Sequence, residues 1–148
     1  MSLADSNAYA GDVPAQEAFR MLEADPKSVI VDVRTEPEWQ YVGAPDLSGI
    51  ERDVLFLSWQ VYPSMQVLPG FVERLGEELR KRGVDEATPV LFLCRSGVRS
   101  RGAAIAMTQA GWSRCFNIAD GFEGPMDPER HRGQMGGWKA GGLPWRQG

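Results

Sequence analysis

The stretch VLFLCRSGVRS, residues 90–100, joins a short apolar run to a loop that is rich in arginine, serine and glycine. The apolar run at residues 90–93 is typical of a buried strand. Residues 99–110 carry many small side chains and end before Gly111, which predicts a helix. The stretch therefore predicts a strand, a tight loop and a helix in direct succession, with Cys94 at the end of the strand.

Apolar runs and amphipathic segments alternate along the rest of the chain. Further strands are predicted at residues 29–33, 54–59 and 115–119, and further helices at residues 14–24 and 69–82. Thr35 and Glu38 have the spacing of a capping box, which predicts a short helix through Val42. This alternation predicts an α/β fold with a parallel sheet that helices cover on both faces. Ligands bind such sheets at the carboxyl ends of the strands, where the loop after residue 93 is expected to lie.

The composition is that of one globular domain, with 148 residues of which 43% are hydrophobic and 24% are charged. A formal charge of −4 argues against a nucleic-acid partner. No apolar run approaches the ~20 residues of a spanning helix, so no membrane partner is expected. Two cysteines, with no predicted secretion signal, are expected to be thiols in a reducing cytoplasm. His131 is the single histidine, and the sequence predicts neither a metal site nor a cofactor.

Cys94 is the candidate nucleophile, because it follows a strand in a short loop that leads into a helix. The N–H groups of such a loop can turn inward and bind an anion, and the helix start adds roughly half a positive charge. Arg95 and Arg99 add full charges. These effects favour the thiolate, which is the nucleophilic form, so the site needs no general base. Gly97 suits a backbone that turns tightly or approaches a ligand closely.

Further motifs accompany the cysteine loop at Cys94–Ser100. They are Asp32-Val33-Arg34 with Glu38-Trp39, then Gly111-Trp112, Asn117, Gly121-Phe122-Glu123-Gly124 and Trp138-Lys139-Ala140-Gly141-Gly142-Leu143-Pro144. In this order they resemble the motifs of single-domain bacterial rhodaneses. The resemblance covers residues 12–146, which are expected to form one rhodanese-like domain. Residues 1–11 are expected to be an N-terminal extension that derives in part from cloning.

The resemblance implies an α/β fold with a five-stranded parallel sheet and helices on both faces. It implies a sulfurtransferase that takes sulfane sulfur from thiosulfate or another small anionic donor. The sulfur is held as a persulfide on Cys94 and passes to a thiophilic acceptor, which is cyanide, a thiol or a protein. The resemblance also implies a cradle for the persulfide and its donor, formed by Arg95, Ser96, Gly97, Val98, Arg99 and Ser100.

The sequence departs from the rhodanese pattern in two places. Residues 41–47 lack the histidine that usually follows the first motif, and residues 125–137 are interposed before the tryptophan-lysine segment. Both departures follow predicted strands and are expected on the active-site side, where they bear on the substrate. Arg130, His131 and Arg132 in the second departure could bind anions at the mouth of the site, although a solvated loop is the favoured interpretation.

Three residues outside the loop have competing interpretations. Asp32 and Arg34 lie at a strand end and could form a catalytic pair, but a structural ion pair that organises the neighbouring loops is favoured. Cys115 could be a resolving thiol. Its apolar neighbours in a predicted strand favour inert packing instead.

The roles of the polar loop residues are also open. Arg95 and Arg99 could be solvated surface charges, but steering of an anionic substrate is favoured for at least one of them. Ser96 and Ser100 can donate hydrogen bonds to the persulfide or to the substrate. For Ser100, a role at the start of the helix is equally favoured.

Two other functions compete with sulfur transfer. A cysteine-dependent phosphatase or arsenate reductase also uses an anion-binding loop between a cysteine and an arginine, and phosphatases that resemble this loop have the spacing C-x5-R. Here Cys94 and Arg99 have the spacing C-x4-R, and Ser100 stands at the phosphatase arginine position. The shorter loop predicts a cradle for one sulfur atom rather than for a phosphoryl group. The other alternative is a non-catalytic protein-binding module on the same fold.

Overall fold

The structure is a computed structural model that describes residues 7–125, 128–131 and 136–147. The strands are β1 (Gly11–Val13), β2 (Val29–Asp32), β3 (Ala44–Pro45), β4 (Leu55–Phe56), β5 (Gln60–Val61), β6 (Gln66–Val67), β7 (Val90–Leu93), β8 (Cys115–Ile118) and β9 (Trp145–Arg146). The helices are α1 (Ala15–Ala24), α2 (Phe71–Lys81), α3 (Val98–Gln109) and α4 (Gly137–Ala140). A π-helical turn spans Glu38–Val42, and a 3-10 turn spans Ser48–Ile50.

A five-stranded sheet forms the centre of the fold, with the strand order β1-β8-β7-β2-β4. Every pair of neighbouring strands in this sheet is parallel. The strand β7, which leads into Cys94, lies in the middle of the sheet between β8 and β2. The predicted α/β fold with a five-stranded parallel sheet is therefore confirmed.

Helices cover both faces of the sheet. Val90 and Phe92 of β7 pack on the face that α2 and α3 cover, whereas Leu91 and Leu93 pack on the opposite face against α1 and α4. Burial on both faces explains why this strand is apolar at every position rather than at alternate ones. The helix residues buried against the sheet are Phe71, Leu75, Leu79, Ala103, Ala104 and Met107 on the first face and Ala15, Ala18, Leu22 and Trp138 on the second.

The edge strand β4 is shorter than the sequence predicts. The apolar run predicts a strand at residues 54–59, but only Leu55–Phe56 pair with β2. Strand β2 ends at Asp32, and beyond β4 two backbone hydrogen bonds remain, from the N–H of Leu57 to the carbonyl of Asp32 at 3.1 Å and from the N–H of Trp59 to the carbonyl of Val33 at 3.0 Å. The chain then turns into a hairpin made of β5 and β6. An apolar run in the sequence does not show where the strand beside it in the sheet will end.

The remaining predicted elements differ from the structure by one or two residues at their ends, which is the ordinary uncertainty of such boundaries. Strand β1 was not apparent in the sequence, because its three residues form no apolar run. It pairs with β8, and the N–H of Ala10 donates to the carbonyl of Cys115 at 2.9 Å. The two-residue strands β3 and β9, which pair with each other, were likewise too short to predict.

A buried ion pair closes the end of β2. The Nε of Arg34 lies 3.0 Å from Oδ1 of Asp32, and its Nη2 lies 2.8 Å from Oδ2, with both side chains fully buried. Nη2 of Arg34 also donates to the carbonyl of Gly43 at 2.8 Å, and the guanidinium lies 4.3 Å from the ring centroid of Phe122. The pair therefore ties the segments that follow β2 and β8 to each other.

Replacing Asp32 by alanine is expected to lower the free energy of unfolding by about 3–5 kcal/mol, because the Arg34 charge would stay buried without its partner. Denaturant unfolding measures this change. Glu17→Ala is the matched control, since it removes the carboxylate of an exposed ion pair with Arg20. The control is expected to cost less than about 1 kcal/mol. Equal losses in the two variants would contradict this role of the buried pair.

Candidate active site

Cys94 lies directly after the central strand β7 and is 1% exposed. Its Sγ accepts a hydrogen bond from the backbone N–H of Gly97 at 3.1 Å and lies 3.2 Å from Oγ of Ser100. Helix α3 begins at Val98, so the sulfur lies where the backbone dipoles of the helix favour negative charge. The arrangement can hold a thiolate, or a terminal sulfur bonded to it, without a basic side chain.

The cysteine loop has its shape because two backbones cross closely. A Cβ atom at Gly97, where φ is 102°, would collide with the carbonyl of Ala119, and one at Gly121 would collide with the carbonyl of Arg95. The N–H of Phe122 donates to the carbonyl of Cys94 at 2.8 Å. Only glycine allows this approach between the loops after β7 and β8.

Ser100 has two possible acceptors for one hydroxyl proton. Its Oγ lies 3.2 Å from Sγ of Cys94 and 2.5 Å from Oδ1 of Asn117. When the cysteine is a thiol, its S–H can donate to Ser100, which in turn donates to Asn117. When the sulfur is negatively charged, the hydroxyl can donate to it instead. The structure thus places the hydroxyl of Ser100 between the sulfur and the amide of Asn117.

Asn117 is a supporting residue whose role the sequence did not reveal. Its Nδ2 donates to the carbonyl of Gly97 and to Oδ1 of Asp12, both at 3.1 Å. These two hydrogen bonds orient the amide so that its oxygen faces Ser100. Its position near the end of β8, beside the strand that carries the cysteine, was the available signal.

Arg99 lines the cleft, but its guanidinium is bonded to Glu38. Its Nη1 and Nη2 lie 2.7 Å and 2.9 Å from the two oxygens of that carboxylate. Thr35 donates to the same carboxylate from its hydroxyl at 2.9 Å and from its N–H at 3.2 Å, as the capping-box spacing suggests. Burial by itself raises the pKa of Glu38, but the hydrogen bonds and charge of Arg99, together with Thr35, outweigh it and lower that pKa to about 2.

A cleft of about 360 Å³ opens above the cysteine. Arg95 is exposed, and Val98 is 77% exposed. Gln60 and Met65 come from the hairpin β5–β6, and the sequence did not predict them as site residues. The described residues that line the cleft are Glu38, Gln60, Met65, Cys94, Arg95, Ser96, Val98 and Arg99.

Other candidate residues lie apart from this cleft. Cys115 is fully buried, and burial raises the pKa of its thiol to about 12, so it stays protonated at neutral pH. Arg130 and His131 are exposed and are not among the described residues that line the cleft, and Arg132 lies outside the described residues. Within the part of the chain that the structure describes, no three His, Cys, Asp or Glu side chains cluster as metal ligands, and no helix is long and apolar enough to cross a membrane.

Solved structures share this architecture. The crystal structure of Rv0390 from M. tuberculosis is 48% identical, has a TM-score of 0.83 and matches 95% of this chain and 100% of that one. A rhodanese-like domain protein from Staphylococcus aureus is 16% identical with a TM-score of 0.51, over 93% of this chain and 98% of that one, which shows the shared fold. The fold around the cysteine loop is therefore rhodanese-like.

Sequence relatives define the family more closely. The family model described as the STR4 middle domain matches residues 10–148. The uncharacterized protein RC0915 of Rickettsia conorii is 36% identical over 91% of this chain and 96% of its own length. The rhodanese-like domain-containing protein 4 of Arabidopsis thaliana, a chloroplastic protein, is 25% identical over 88% of this chain and 24% of its own length. The chain belongs to the STR4 middle domain family.

Protonation of Glu38 breaks its ion pair with Arg99, so the protein is expected to lose stability in acid. Because the pKa of Glu38 is lowered from 4.5 to about 2 on folding, its carboxylate stabilises the folded state above about pH 4.5, and this contribution is lost as the pH falls toward 2. The difference in unfolding free energy between the wild type and Glu38→Gln should therefore be largest above pH 5 and shrink below it. Urea unfolding between pH 3 and 7 measures the difference. The control is Glu77→Gln, a substitution at an exposed position. If the unfolding free energies of the wild type and Glu38→Gln run parallel against pH, this role of the pair is refuted.

Proposed function

We propose that the protein is a sulfurtransferase that carries sulfane sulfur as a persulfide on Cys94. The observation that carries this proposal is the position of Sγ, which lies 3.1 Å from the N–H of Gly97 and 3.2 Å from Oγ of Ser100 at the N-terminal end of α3. Hydrogen-bond donors in this arrangement stabilise negative charge on a sulfur atom. The cleft above it gives a donor access from solvent.

The reaction is a double displacement. The Cys94 thiolate attacks the outer sulfur of thiosulfate, a new S–S bond forms, and the old S–S bond breaks so that sulfite leaves with the electron pair. The enzyme then holds a persulfide with one negative charge. A thiophilic acceptor, which is cyanide in an assay and a thiol or a protein in the cell, attacks the terminal sulfur and restores the thiolate. The residues need no metal or organic cofactor for these steps, and a reducing cytoplasm is the compartment that suits the thiols.

The position of Arg99 supports sulfur transfer over phosphoryl transfer. A cysteine phosphatase uses the arginine of its loop as a bidentate clamp on the transferred group. Here both outer nitrogens of Arg99 are bonded to Glu38, and the next residue presents a hydroxyl to the sulfur instead. The complete cysteine loop also argues against a module that only binds other proteins.

Thiosulfate is expected to add the mass of one sulfur atom to the wild-type protein, and a reductant should remove it. The Cys115→Ser variant should take up sulfur in the same way, because the Cys115 thiol of the wild type is buried and protonated and is not expected to react. The Cys94→Ser variant should take up none. Intact-mass spectrometry measures both. Loading that persists in Cys94→Ser would overturn the assignment of the sulfur carrier.

The wild-type protein is expected to convert thiosulfate and cyanide to thiocyanate and to show no measurable hydrolysis of p-nitrophenyl phosphate. The physical reason is that both outer nitrogens of Arg99, which a phosphatase would use as a clamp on the phosphoryl group, are bonded to Glu38. Parallel colorimetric assays test both activities, with Cys94→Ser as the blank. Phosphate release that depends on Cys94, without persulfide formation, would favour a phosphatase.

A further inference from the structure

The charges that line the cleft balance when Cys94 is a thiolate. Arg99 and Glu38 neutralise each other through two hydrogen bonds of 2.7 Å and 2.9 Å. Arg95 is exposed and forms no ion pair with any residue in the described ranges 7–125, 128–131 and 136–147. With two arginines, one glutamate and the Cys94 thiolate, the lining carries no net charge when the cysteine is ready to react. Arg95 offers one positive charge outside any ion pair to a donor, and the described lining offers no second one to thiosulfate.

One wall of the cleft is apolar. Met65 is 39% exposed and lines the cleft from the hairpin β5–β6, and the exposed Val98 lies on the same lining. The backbone holds Met65 in an unusual conformation, since its φ is 58° and its N–H donates to the carbonyl of Val61 at 2.7 Å. Such a conformation is uncommon for a long side chain and concentrates at functional sites. The hairpin thus presents a thioether to the space above the cysteine.

The cleft is also larger than thiosulfate requires. Its volume of about 360 Å³ lies within the ~300–1,000 Å³ of pockets that enclose organic ligands of many atoms. Thiosulfate has five non-hydrogen atoms. Its outer sulfur would meet the N–H of Gly97, and its five atoms would fill only part of the cleft.

We propose that this cleft selects a sulfane-sulfur donor with one negative charge and an apolar organic body, such as an arenethiosulfonate, over thiosulfate. Met65 is the specificity residue, because its sulfur and methylene groups contact the apolar body. The inference rests on the proposed sulfurtransferase function and specifies its substrate class.

The reaction with such a donor is balanced without a further reactant. The Cys94 thiolate attacks the outer sulfur of the thiosulfonate, the bond between that sulfur and the sulfonyl sulfur breaks, and the arenesulfinate leaves with the electron pair. The reactants carry two negative charges, one on the Cys94 thiolate and one on the donor. The products also carry two, one on the persulfide and one on the sulfinate.

Benzenethiosulfonate and thiosulfate are the two probes, with kcat/KM measured as thiocyanate formation in cyanide. Because the donors differ in intrinsic reactivity, the change of their ratio on substitution is the deciding quantity. Met65→Ser should lower kcat/KM for benzenethiosulfonate about fivefold, as expected for lost apolar and sulfur–aromatic contacts, and leave that for thiosulfate within twofold. Glu38→Gln should raise kcat/KM for thiosulfate relative to benzenethiosulfonate about threefold, because it releases the charge of Arg99 for the second negative charge of thiosulfate.

Val67→Ser is the matched control, since Val67 is an exposed apolar residue of the same hairpin that is not among the described cleft residues. It should leave the donor ratio unchanged. If both donors load Cys94 but Met65→Ser and Val67→Ser change the ratio equally or not at all, the specificity proposal is wrong while the sulfurtransferase function stands. If neither donor forms a persulfide on the wild-type protein, the proposed function fails, and the specificity proposal fails with it.

Discussion

The close crossing of two backbones at the carboxyl end of the sheet determines the rest of the site. The loop after β7 and the loop after β8 approach so closely that a Cβ atom at Gly97 or Gly121 would collide with the opposite backbone. The N–H of Phe122 donates a hydrogen bond to the carbonyl of Cys94, and the N–H of Glu123 donates one to the carbonyl of Arg95. With its carbonyls bound on the outside, the cysteine loop directs an N–H toward the sulfur. The N–H that faces the sulfur therefore follows from a packing constraint between main chains.

Two ion pairs then decide which charges remain available to a substrate. Asp32 and Arg34 are fully buried and hold the segments after β2 and β8, so their charges stabilise the protein rather than meet a ligand. Glu38 and Arg99 are largely buried and anchor the start of α3 to the turn after β2. Arg99 of the cysteine loop thus serves the architecture of the loop.

The sheet and the hairpin have different tasks in the proposed chemistry. The central strand, its loop and α3 position the sulfur and favour negative charge on it, and they would serve any sulfane-sulfur donor equally. The hairpin β5–β6 lies outside the main sheet and reaches the cleft with Gln60 and Met65. In the proposed chemistry, discrimination between donors would fall to this hairpin, because the cysteine loop holds the sulfur that reacts and the hairpin lines the rest of the cleft.

The sequence by itself determined the α/β fold, the order of strand, loop and helix around Cys94, and the buried setting of Cys115. These features depend on neighbouring residues, such as an apolar run, a glycine turn and a helix start, whose physical preferences are local. Only the tertiary structure decided the partner of Arg99, which lies 61 positions from Glu38 in the chain. It also decided the place of Asn117 beside Ser100 and that of Met65 in the lining of the cleft at Cys94. Contacts of this kind arise when distant segments pack against one another, and no local pattern of residues specifies which side chains will then meet.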